Sequence, residues 1–288
     1  MILFPARNRW RPVRRSQTKE LHAFLVQRES RCVTVTERLK KDGGRSAGSG
    51  RFIVYDGPSG IEACVFVTAH GFVYPILSDG KVPDLRGLRL ILAGVRNKLF
   101  CVMGTRRDVL TMEAVFIRPP VAHVSYFLME RQVPAIPAAP TPGSSVRYRV
   151  ATLGDAESVF PVQRLYELEE VLLDPDTFDA ASCMKQLKAS LRNQLVYVAE
   201  TRTGILAKAQ TNARGYGWDQ IGGVFTRESY RSQGIGRNVM RALLADTDAD
   251  ERRTCLFVKK HNEPALRMYR SLQYTTTDEF RITYYQNV

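Results

Sequence analysis

The chain has 288 residues and carries 42 Lys and Arg against 29 Asp and Glu, a formal net charge of +13. Its 44% hydrophobic and 25% charged residues exclude disordered, collagen-like and coiled-coil proteins. No apolar run reaches the ~18–20 residues of a membrane span, and early arginines interrupt any secretory signal. The five cysteines are scattered without a C-x-x-C pair. We therefore expect reduced thiols, no metal site, no membrane and a cytoplasmic location.

The positive charge is concentrated in the first part of the chain. Residues 1–140 carry a net charge of +11 and residues 141–288 carry +2. Between them lies VPAIPAAPTPGSS, residues 133–145, whose prolines resist helix and central strand and favour a semi-rigid connector. We expect two domains, 1–140 and 141–288; the alternative is a long surface loop within one domain.

The first part mixes helical and strand patterns, which predicts an α/β domain. Helical structure is expected over Thr18–Lys41, with its apolar spacing broken around Val33 and Val35, and a flexible Gly/Ser-rich loop is expected over Lys40–Gly50. The predicted strands and β-rich stretches are Phe52–Tyr55, Ile61–Thr68, Gly71–Leu77, Thr111–Ile117 and Val121–Met129.

A cluster of arginines surrounds Trp10 near the N-terminus, between Arg7 and Arg15. Lys and Arg neutralise phosphates and Trp can stack on bases, so a nucleic-acid interaction is one interpretation. No recognition motif accompanies the cluster. A solvated basic arm is the favoured interpretation, and a nucleic-acid partner is not expected.

The most informative segment is Asp219–Ala245. Ile221–Thr226 reads as a strand with two glycines inside it, which are typical of a bulge or a close backbone approach. The loop Arg231–Gly236 follows, and then Val239, Met240, Leu243 and Leu244 recur at helical spacing. The first amides of a helix lack intrahelical partners and favour an anion, so the segment predicts a phosphate site.

A second strand and helix follow this loop. Thr254–Lys259 reads as a strand, Asn262 as an N-cap and Pro264 as a first-turn residue. Ala265, Met268, Tyr269 and Leu272 then line one helical face. A G-x-G loop alone is a weak signal, but this order of elements is much more specific.

Residues 219–274 resemble the acetyl-CoA-binding core of the GNAT family of N-acetyltransferases. Arg231–Gly236 matches the R/Q-x-x-G-x-G/A loop, and Asn262, Ala265 and Tyr269 match N-x-x-A-x-x-x-Y. Gln273 stands where the family usually has glycine. The resemblance implies an acyl-CoA N-acyltransferase fold, with a mixed, mostly antiparallel sheet flanked by helices.

The resemblance extends less specifically over residues 146–288. It implies strands at Val146–Val150, Leu195–Glu200, Gly204–Thr211 and Arg281–Tyr285, with helices within Asp155–Leu173. We interpret the first part as a degenerate domain of the same architecture, giving two tandem α/β domains. Because it lacks the R-x-x-G-x-G loop, we expect no second cofactor site there.

The resemblance also implies the activity and the site. The expected activity is transfer of an acetyl group from acetyl-CoA to a primary amine by direct attack in a ternary complex. Tyr269 is the expected general acid, and Asp219, or else Glu200, the expected general base. The expected acetyl-CoA-binding residues are Val224, Phe225, Thr226, Arg231, Ser232, Gln233, Gly234, Ile235, Gly236, Arg237 and Asn262.

Two other functions stay open from the sequence. One is a non-catalytic acetyl-CoA-binding regulatory module, and the other is a nucleic-acid-associated protein that uses the basic first part. The sequence does not identify the amine acceptor.

Overall fold

A computed structural model describes residues 9–43, 50–78, 82, 84–131 and 145–286. The chain divides into two compact units, Met1–Leu128 with Asp278–Asn287 (unit 1) and Met129–Thr277 (unit 2). Arg7, most of the Lys40–Gly50 loop and the expected linker up to residue 144 lie outside the described residues. The expected domain boundary near residue 140 stays a prediction. Unlike the expected second domain, which runs to residue 288, unit 2 ends at Thr277, and the strand residues that follow belong to unit 1.

Unit 1 is a sheet with helices packed against it. Its strands β1 to β4 pair antiparallel in order, β5 pairs parallel to β4, and β12 pairs antiparallel to β5. The strands are β1 (Arg9–Pro12), β2 (Arg51–Gly57), β3 (Gly60–Val67), β4 (Phe72–Leu77), β5 (Cys101–Thr105) and β12 (Thr275–Tyr284); the helices are α1 (Thr18–Val26), α2 (Val33–Asp42), α3 (Leu85–Leu92) and α4 (Arg106–Phe116). The antiparallel pair expected from Ile61 to Leu77 is confirmed as β3 and β4.

Two predictions for unit 1 need correction. The helical stretch expected over Thr18–Lys41 is two helices, and its break lies at a short 3₁₀ turn, Glu29–Arg31, just before the break expected around Val33 and Val35. The stretch Thr111–Ile117, expected to be β-rich, instead belongs to α4 as far as Phe116, and Ile117 caps the end of that helix. The Thr105 hydroxyl caps this helix by accepting from the Asp108 backbone N–H (3.3 Å), and buried residues then recur at helical spacing: Val109, Met112, Val115 and Phe116.

Trp10, the residue considered for base stacking, is buried in the core of unit 1. Its ring packs at 5.6 Å from that of Tyr55, and its neighbour Arg11 forms a buried ion pair with Asp56. These contacts take both side chains out of the basic surface that the nucleic-acid interpretation requires.

Unit 2 contains a sheet in the order β7-β8-β9-β10-β11, antiparallel except for the parallel pair β10–β11. Its strands are β7 (Arg147–Val150), β8 (Val196–Thr201), β9 (Gly204–Arg214), β10 (Trp218–Thr226) and β11 (Arg253–Lys259); β6 (Ala122–Arg131) has residues in both units. Its helices are α5 (Ala156–Tyr166), α6 (Ala180–Asn193), α7 (Ile235–Ala249) and α8 (Glu263–Ser271). The expected mixed, mostly antiparallel α/β fold is confirmed.

The core of unit 2 lies between α5, α6 and the sheet. Val159, Val162, Leu187, Val198 and Phe225 are among its buried residues. Helix α6, which the sequence analysis did not anticipate, starts at Asp179, whose carboxylate accepts from the backbone N–H groups of Ala181 and Ser182 (3.1 and 3.2 Å).

Gln273 follows α8 with a φ of +68°. A left-handed conformation costs a non-glycine residue about 1–2 kcal/mol. The turn that glycine usually provides in the family is therefore formed here, at some cost in strain.

None of the described helices has the length and apolar character needed to cross a membrane. Within the same residues, His, Cys, Asp and Glu form no group that could hold a metal ion.

We expect Arg131→Met to lower the free energy of unfolding by about 3–5 kcal/mol, because it leaves a buried carboxylate unpaired. Arg131 donates from both terminal nitrogens to Asp248 (2.6 and 2.8 Å), and the side chains are only 3% and 5% exposed. Urea unfolding measures the change. Lys188→Met, which breaks an exposed pair with Glu157, is the control and should cost under about 1 kcal/mol. Equal effects of the two substitutions would contradict this account.

Candidate active site

Strand β10 carries a bulge at the point where its pairing with β11 ends. The parallel register joins Trp218 with Arg253 through Ile221 with Leu256, and both strands continue beyond it. On the other side, Gly222 pairs with Gln210 of β9 and Phe225 with Lys208, so β10 has one extra residue there. The bulge leaves the β11-facing edge of β10 outside the parallel register.

A row of polar side chains on β9 fills the space next to this bulge. Lys208 Nζ donates to Gln210 Oε1 (3.0 Å), and Gln210 Nε2 donates to Asn212 Oδ1 (3.2 Å). Gly223 has a φ of +56°, and a Cβ there would lie 2.6 Å from Lys208 Nζ. Only glycine combines this backbone conformation with this close approach.

The end of α5 covers the same place. Tyr166 is the last residue of α5; its hydroxyl accepts a hydrogen bond from the backbone N–H of Gly223, and its ring lies 4.7 Å from Lys208 Nζ. The chain continues as one π-helical turn, Glu167–Val171. Such turns often occur at functional sites.

Each glutamate of this π-helical turn faces a different part of unit 2. Glu167 accepts from Gln163 Nε2 (2.8 Å) and interacts electrostatically with Lys208. Glu169 pairs with Arg231 (2.6 Å), and Glu170 with Lys259 (3.0 Å) at the end of β11. The turn thus connects β9, the loop after β10 and the end of β11.

Lys208 is fully buried, with 0% of its surface exposed. Burial lowers its pKa from the ordinary 10.5 to about 7, against the opposing effect of the Glu167 carboxylate. Burial also raises the pKa of Glu167 above its ordinary value. The two groups therefore change charge closer to neutral pH than exposed Lys and Glu do.

The loop before α7 has the backbone form of an anion cradle. Ser232 has a φ of +62° and Gly234 a φ of +77°, and no side chain caps the helix at Gly234. Alternating left-handed residues turn successive N–H groups toward one side, and the first N–H groups of α7 have no intrahelical partners. The guanidinium of Arg237 reaches back to within 3.9 Å of a Cβ placed on Gly234.

Arg231 lies at the start of this loop and is held by three contacts. Its Nε donates to the Thr226 carbonyl (3.0 Å), its guanidinium stacks 5.3 Å from the Phe225 ring, and it pairs with Glu169. The pair is half-exposed, and exposed pairs contribute little free energy. A bound diphosphate can therefore compete with Glu169 for this guanidinium.

Helix α8 brings Tyr269 toward Tyr166. Asn262 is its N-cap, as expected, because its side-chain oxygen accepts from the Ala265 N–H (3.2 Å). Tyr269 is only 7% exposed, and burial is the main cause that raises the pKa of its hydroxyl, with smaller contributions from Tyr166 and Glu170. A raised pKa keeps the phenol protonated at neutral pH.

The two carboxylates expected as general bases lie elsewhere. Asp219 is on the paired part of β10 and is fully buried between Arg214 (3.2 Å) and Arg252 (2.8 Å). Glu200 is on β8, two strands from β10, and pairs with Arg149 (2.6 Å). The structure thus brings Tyr269 and Val224–Thr226 near the bulge, but neither Asp219 nor Glu200.

Sequence analysis missed Tyr166, Glu167 and Lys208. A lysine in an otherwise apolar strand, GILAKAQ at residues 204–210, was the available signal for Lys208. The run of glutamates after Tyr166 reads as an ordinary solvated helix end, because sequence alone does not indicate a π-helical turn.

Unit 1 repeats the strand–helix–strand–helix order of unit 2 in β4, α3, β5 and α4. Its parallel register joins Phe72 with Cys101 and Val73 with Val102. Beyond it, the backbone N–H of Leu77 donates to the Asp108 carboxylate (3.3 Å), whose pKa burial raises to about 6. A side chain of α4 thus binds the strand backbone in unit 1. The absence of a second cofactor site stays a prediction.

We expect the stability contributed by Lys208 to rise with pH. Between pH 7 and 10.5 the unfolded chain binds more protons than the folded chain, because only the folded state lowers the pKa of Lys208. The free energy of unfolding of the wild type, minus that of Lys208→Met, should be flat below about pH 7 and rise above it by at most about 1.4 kcal/mol per pH unit. Urea unfolding at pH 6 to 9 measures this difference. A pH-independent difference for Lys208→Met would refute the pKa assignment.

Comparisons with known proteins agree with this geometry. The GNAT acetyltransferase domain model matches residues 192–276. A Drosophila protein solved by X-ray crystallography superposes with a TM-score of 0.69 at 13% identity, covering 98% of this chain and 100% of its own. A GCN5-related N-acetyltransferase from Sphaerobacter thermophilus gives 0.62 at 16% identity, covering 99% and 98%.

A tandem GNAT protein from the clavulanic acid biosynthesis pathway superposes with a TM-score of 0.60 at 10% identity, covering 97% of this chain and 99% of its own. No curated protein sequence matches the chain significantly. At these identities the superpositions show the fold, and they extend it over both units.

Acetyl-CoA is the co-substrate of the GNAT family, so the cofactor expectation is confirmed at the level of the family. The bulged strand, the amide loop and the capped helix that carries Tyr269 all fall within the matched segment or at its edge. Residues 192–276 thus match the GNAT acetyltransferase domain, in a chain whose fold resembles that of a tandem GNAT protein.

Proposed function

We propose that the protein is an N-acetyltransferase that moves the acetyl group of acetyl-CoA to a primary amine by direct attack in a ternary complex. The observation that carries this proposal is the bulge at Gly223, where the β10–β11 register ends; the amide loop of α7 follows the end of β10 and one 3₁₀ turn. The bulge provides a strand edge outside the β10–β11 register, and the loop provides a cradle of N–H groups for an anion. One extended ligand could bind both in turn. A diphosphate joined to an extended amide chain has this order of groups.

Specific residues would hold the co-substrate. The backbone N–H groups of Gln233–Gly236, next to Ser232, would bind the diphosphate, with Arg231 and Arg237 adding positive charge. The edge of β10 at Val224, Phe225 and Thr226 would hydrogen-bond the pantetheine amides. Asn262 uses its side-chain oxygen for the helix cap, which leaves its side-chain nitrogen as the donor for the co-substrate.

Tyr269 would supply the proton that the leaving group needs. Acetyl-CoA provides a thioester carbonyl, and an amine that attacks it forms an amide and releases the CoA thiol. A buried phenol that stays protonated at neutral pH is suited to protonate the departing thiolate. Tyr269 lies on the helix that follows β11, beside Tyr166 at the bulge.

The alternative is a non-catalytic acetyl-CoA-binding module. Calorimetric titration with acetyl-CoA, followed by a thiol-release assay with a panel of amines and peptides, separates the two functions. Binding with turnover of at least one amine supports the enzyme. Binding without turnover would support the module, and absence of binding would contradict both.

We expect Tyr269→Phe to lower kcat by about 10²–10⁴-fold, the usual contribution of general acid–base catalysis. The affinity for acetyl-CoA should stay unchanged, because the ring and its edge contact with Tyr274 (5.9 Å between centroids) are retained. The thiol-release assay and calorimetry measure the two quantities. The matched control is Tyr148→Phe on β7, two strands before β9 in the sheet. Unchanged turnover of Tyr269→Phe would remove Tyr269 from the mechanism.

A further inference from the structure

We propose that Glu167 is the general base that takes a proton from the acceptor's ammonium group, and that Lys208 is a positioning residue that holds Glu167 and the bulge in their working arrangement. This inference rests on the proposed acetyl transfer and names the residue that the sequence analysis sought at Asp219 or Glu200. The evidence for it is that three elements meet at one place: the end of α5, the row of polar side chains on β9 and the bulge of β10.

The location of Glu167 follows from its neighbours. Tyr166, the preceding residue, reaches the bulge with its hydroxyl, which accepts from the Gly223 N–H, so the side chain next to Glu167 in sequence is anchored at the bulge. Glu167 acts electrostatically on Lys208, whose Nζ faces Gly223, and on the Cys183 thiol of α6. The unpaired edge of β10 begins at this same bulge, so Glu167 lies beside the reaction centre proposed above.

Accessibility distinguishes Glu167 from the carboxylates considered earlier. Glu167 is half-buried and accepts a hydrogen bond from Gln163, a neutral residue. Asp219 is fully enclosed by two arginines, and Glu200 is held by Arg149. Arg149 lowers the pKa of Glu200 and makes it a weaker base. Burial raises the pKa of Asp219, as it does that of Glu167, but Asp219 is completely enclosed and out of reach of an acceptor amine. Glu167 is partly exposed.

Lys208 acts on this carboxylate directly by charge and indirectly by its packing on Tyr166. When protonated, it opposes the effect of burial and lowers the pKa of Glu167. It also donates to Gln210 and packs on the Tyr166 ring, which fixes the residue next to Glu167. Loss of this ammonium group would therefore both raise the pKa of Glu167 and loosen its position.

The groups that contact the pair or act on its charge come from α5, α6, β9 and β10. They are Gln163 and Tyr166 of α5, Cys183 of α6, Gln210 of β9 and the uncharged backbone of Gly223 in β10. Burial and Glu167 together raise the pKa of the Cys183 thiol to about 11, so it stays neutral at the pH of the reaction. Lys208 is thus the cationic group in this set.

The proton balance of the transfer is complete with these residues. The acceptor's ammonium gives one proton to Glu167, and its free electron pair then forms the C–N bond to the thioester carbonyl. On collapse the C–S bond breaks, and the thiolate takes the Tyr269 proton. The second proton of the nitrogen restores the Tyr269 hydroxyl, and Glu167 releases its proton to water, so one proton is released in each turnover.

Glu167→Gln tests the base directly, since its amide oxygen can still accept from Gln163 and the fold is kept. With the most active amine of the panel, we expect kcat to fall by about 10²–10⁴-fold while the affinity for acetyl-CoA is unchanged. Glu157→Gln, which changes an exposed glutamate in the first turn of α5, is the matched control and should retain full activity. Lys208→Gln should shift the acidic limb of the pH–rate profile to higher pH, because Glu167 loses a cationic neighbour.

An NMR titration gives a readout that needs no substrate. In protein labelled with ¹³C-lysine, the Lys208 signal, identified by its loss in Lys208→Gln, should titrate near pH 7. In Glu167→Gln its midpoint should move to lower pH, because the carboxylate that favours the ammonium form has been removed. Glu157→Gln should leave the midpoint in place.

The outcomes separate this inference from the proposed function. Glu167→Gln with wild-type turnover, or a Lys208 midpoint that does not respond to Glu167→Gln, overturns this inference alone. Acetyl-CoA binding without turnover of any amine overturns both. The expected loss of turnover together with the shifted Lys208 midpoint supports both.

Discussion

The arrangement of the site depends on one extra residue in β10. Because Gly223 adopts a left-handed conformation and lacks a Cβ, the Lys208 ammonium and the Gln210 side chain fit directly against the strand backbone. The same bulge coincides with the end of the β10–β11 register, so β10 keeps its pairing with β9 and presents its other edge. The amide loop of α7 follows within the next ten residues. One local irregularity thus positions a strand edge, an anion cradle and a buried amine together.

The buried polar side chains around this bulge lower the stability of the fold, so their presence needs an explanation. A buried lysine gives up its hydration, and its hydrogen bond to Gln210 does not replace the solvation of an ammonium group. Val, Leu or Met at position 208 would pack in the same space without this cost. Residues that lower the stability of the fold are concentrated at functional sites. Lys208 and Glu167 fit this pattern, whereas the enclosed Asp219 is matched by Arg214 and Arg252, as structural ion pairs are.

Parts of the structure that depend on local sequence could be predicted. The strand at Ile221, the loop at Arg231–Gly236 and the Asn262 cap follow from residue types at fixed spacing, and the structure forms each of them. Features that depend on tertiary contacts could not. Thr111–Phe116 contains β-branched residues but forms a helix, because the Thr105 cap and the burial of one face of α4 in the core stabilise the helical conformation. The π-helical turn at Glu167 and the pairing of Phe280–Tyr284 with β5 likewise depend on partners distant in sequence.

The measurement that tests the central claim most directly is the amide NMR spectrum of the deuterated, ¹⁵N-labelled protein during titration with acetyl-CoA. The account predicts that the largest shifts fall on Gln233–Gly236 and on Val224–Thr226, and that desulfo-CoA, which keeps the diphosphate but lacks the thioester, reproduces them. Shifts confined to other residues, or a spectrum unchanged at saturating acetyl-CoA, would contradict it.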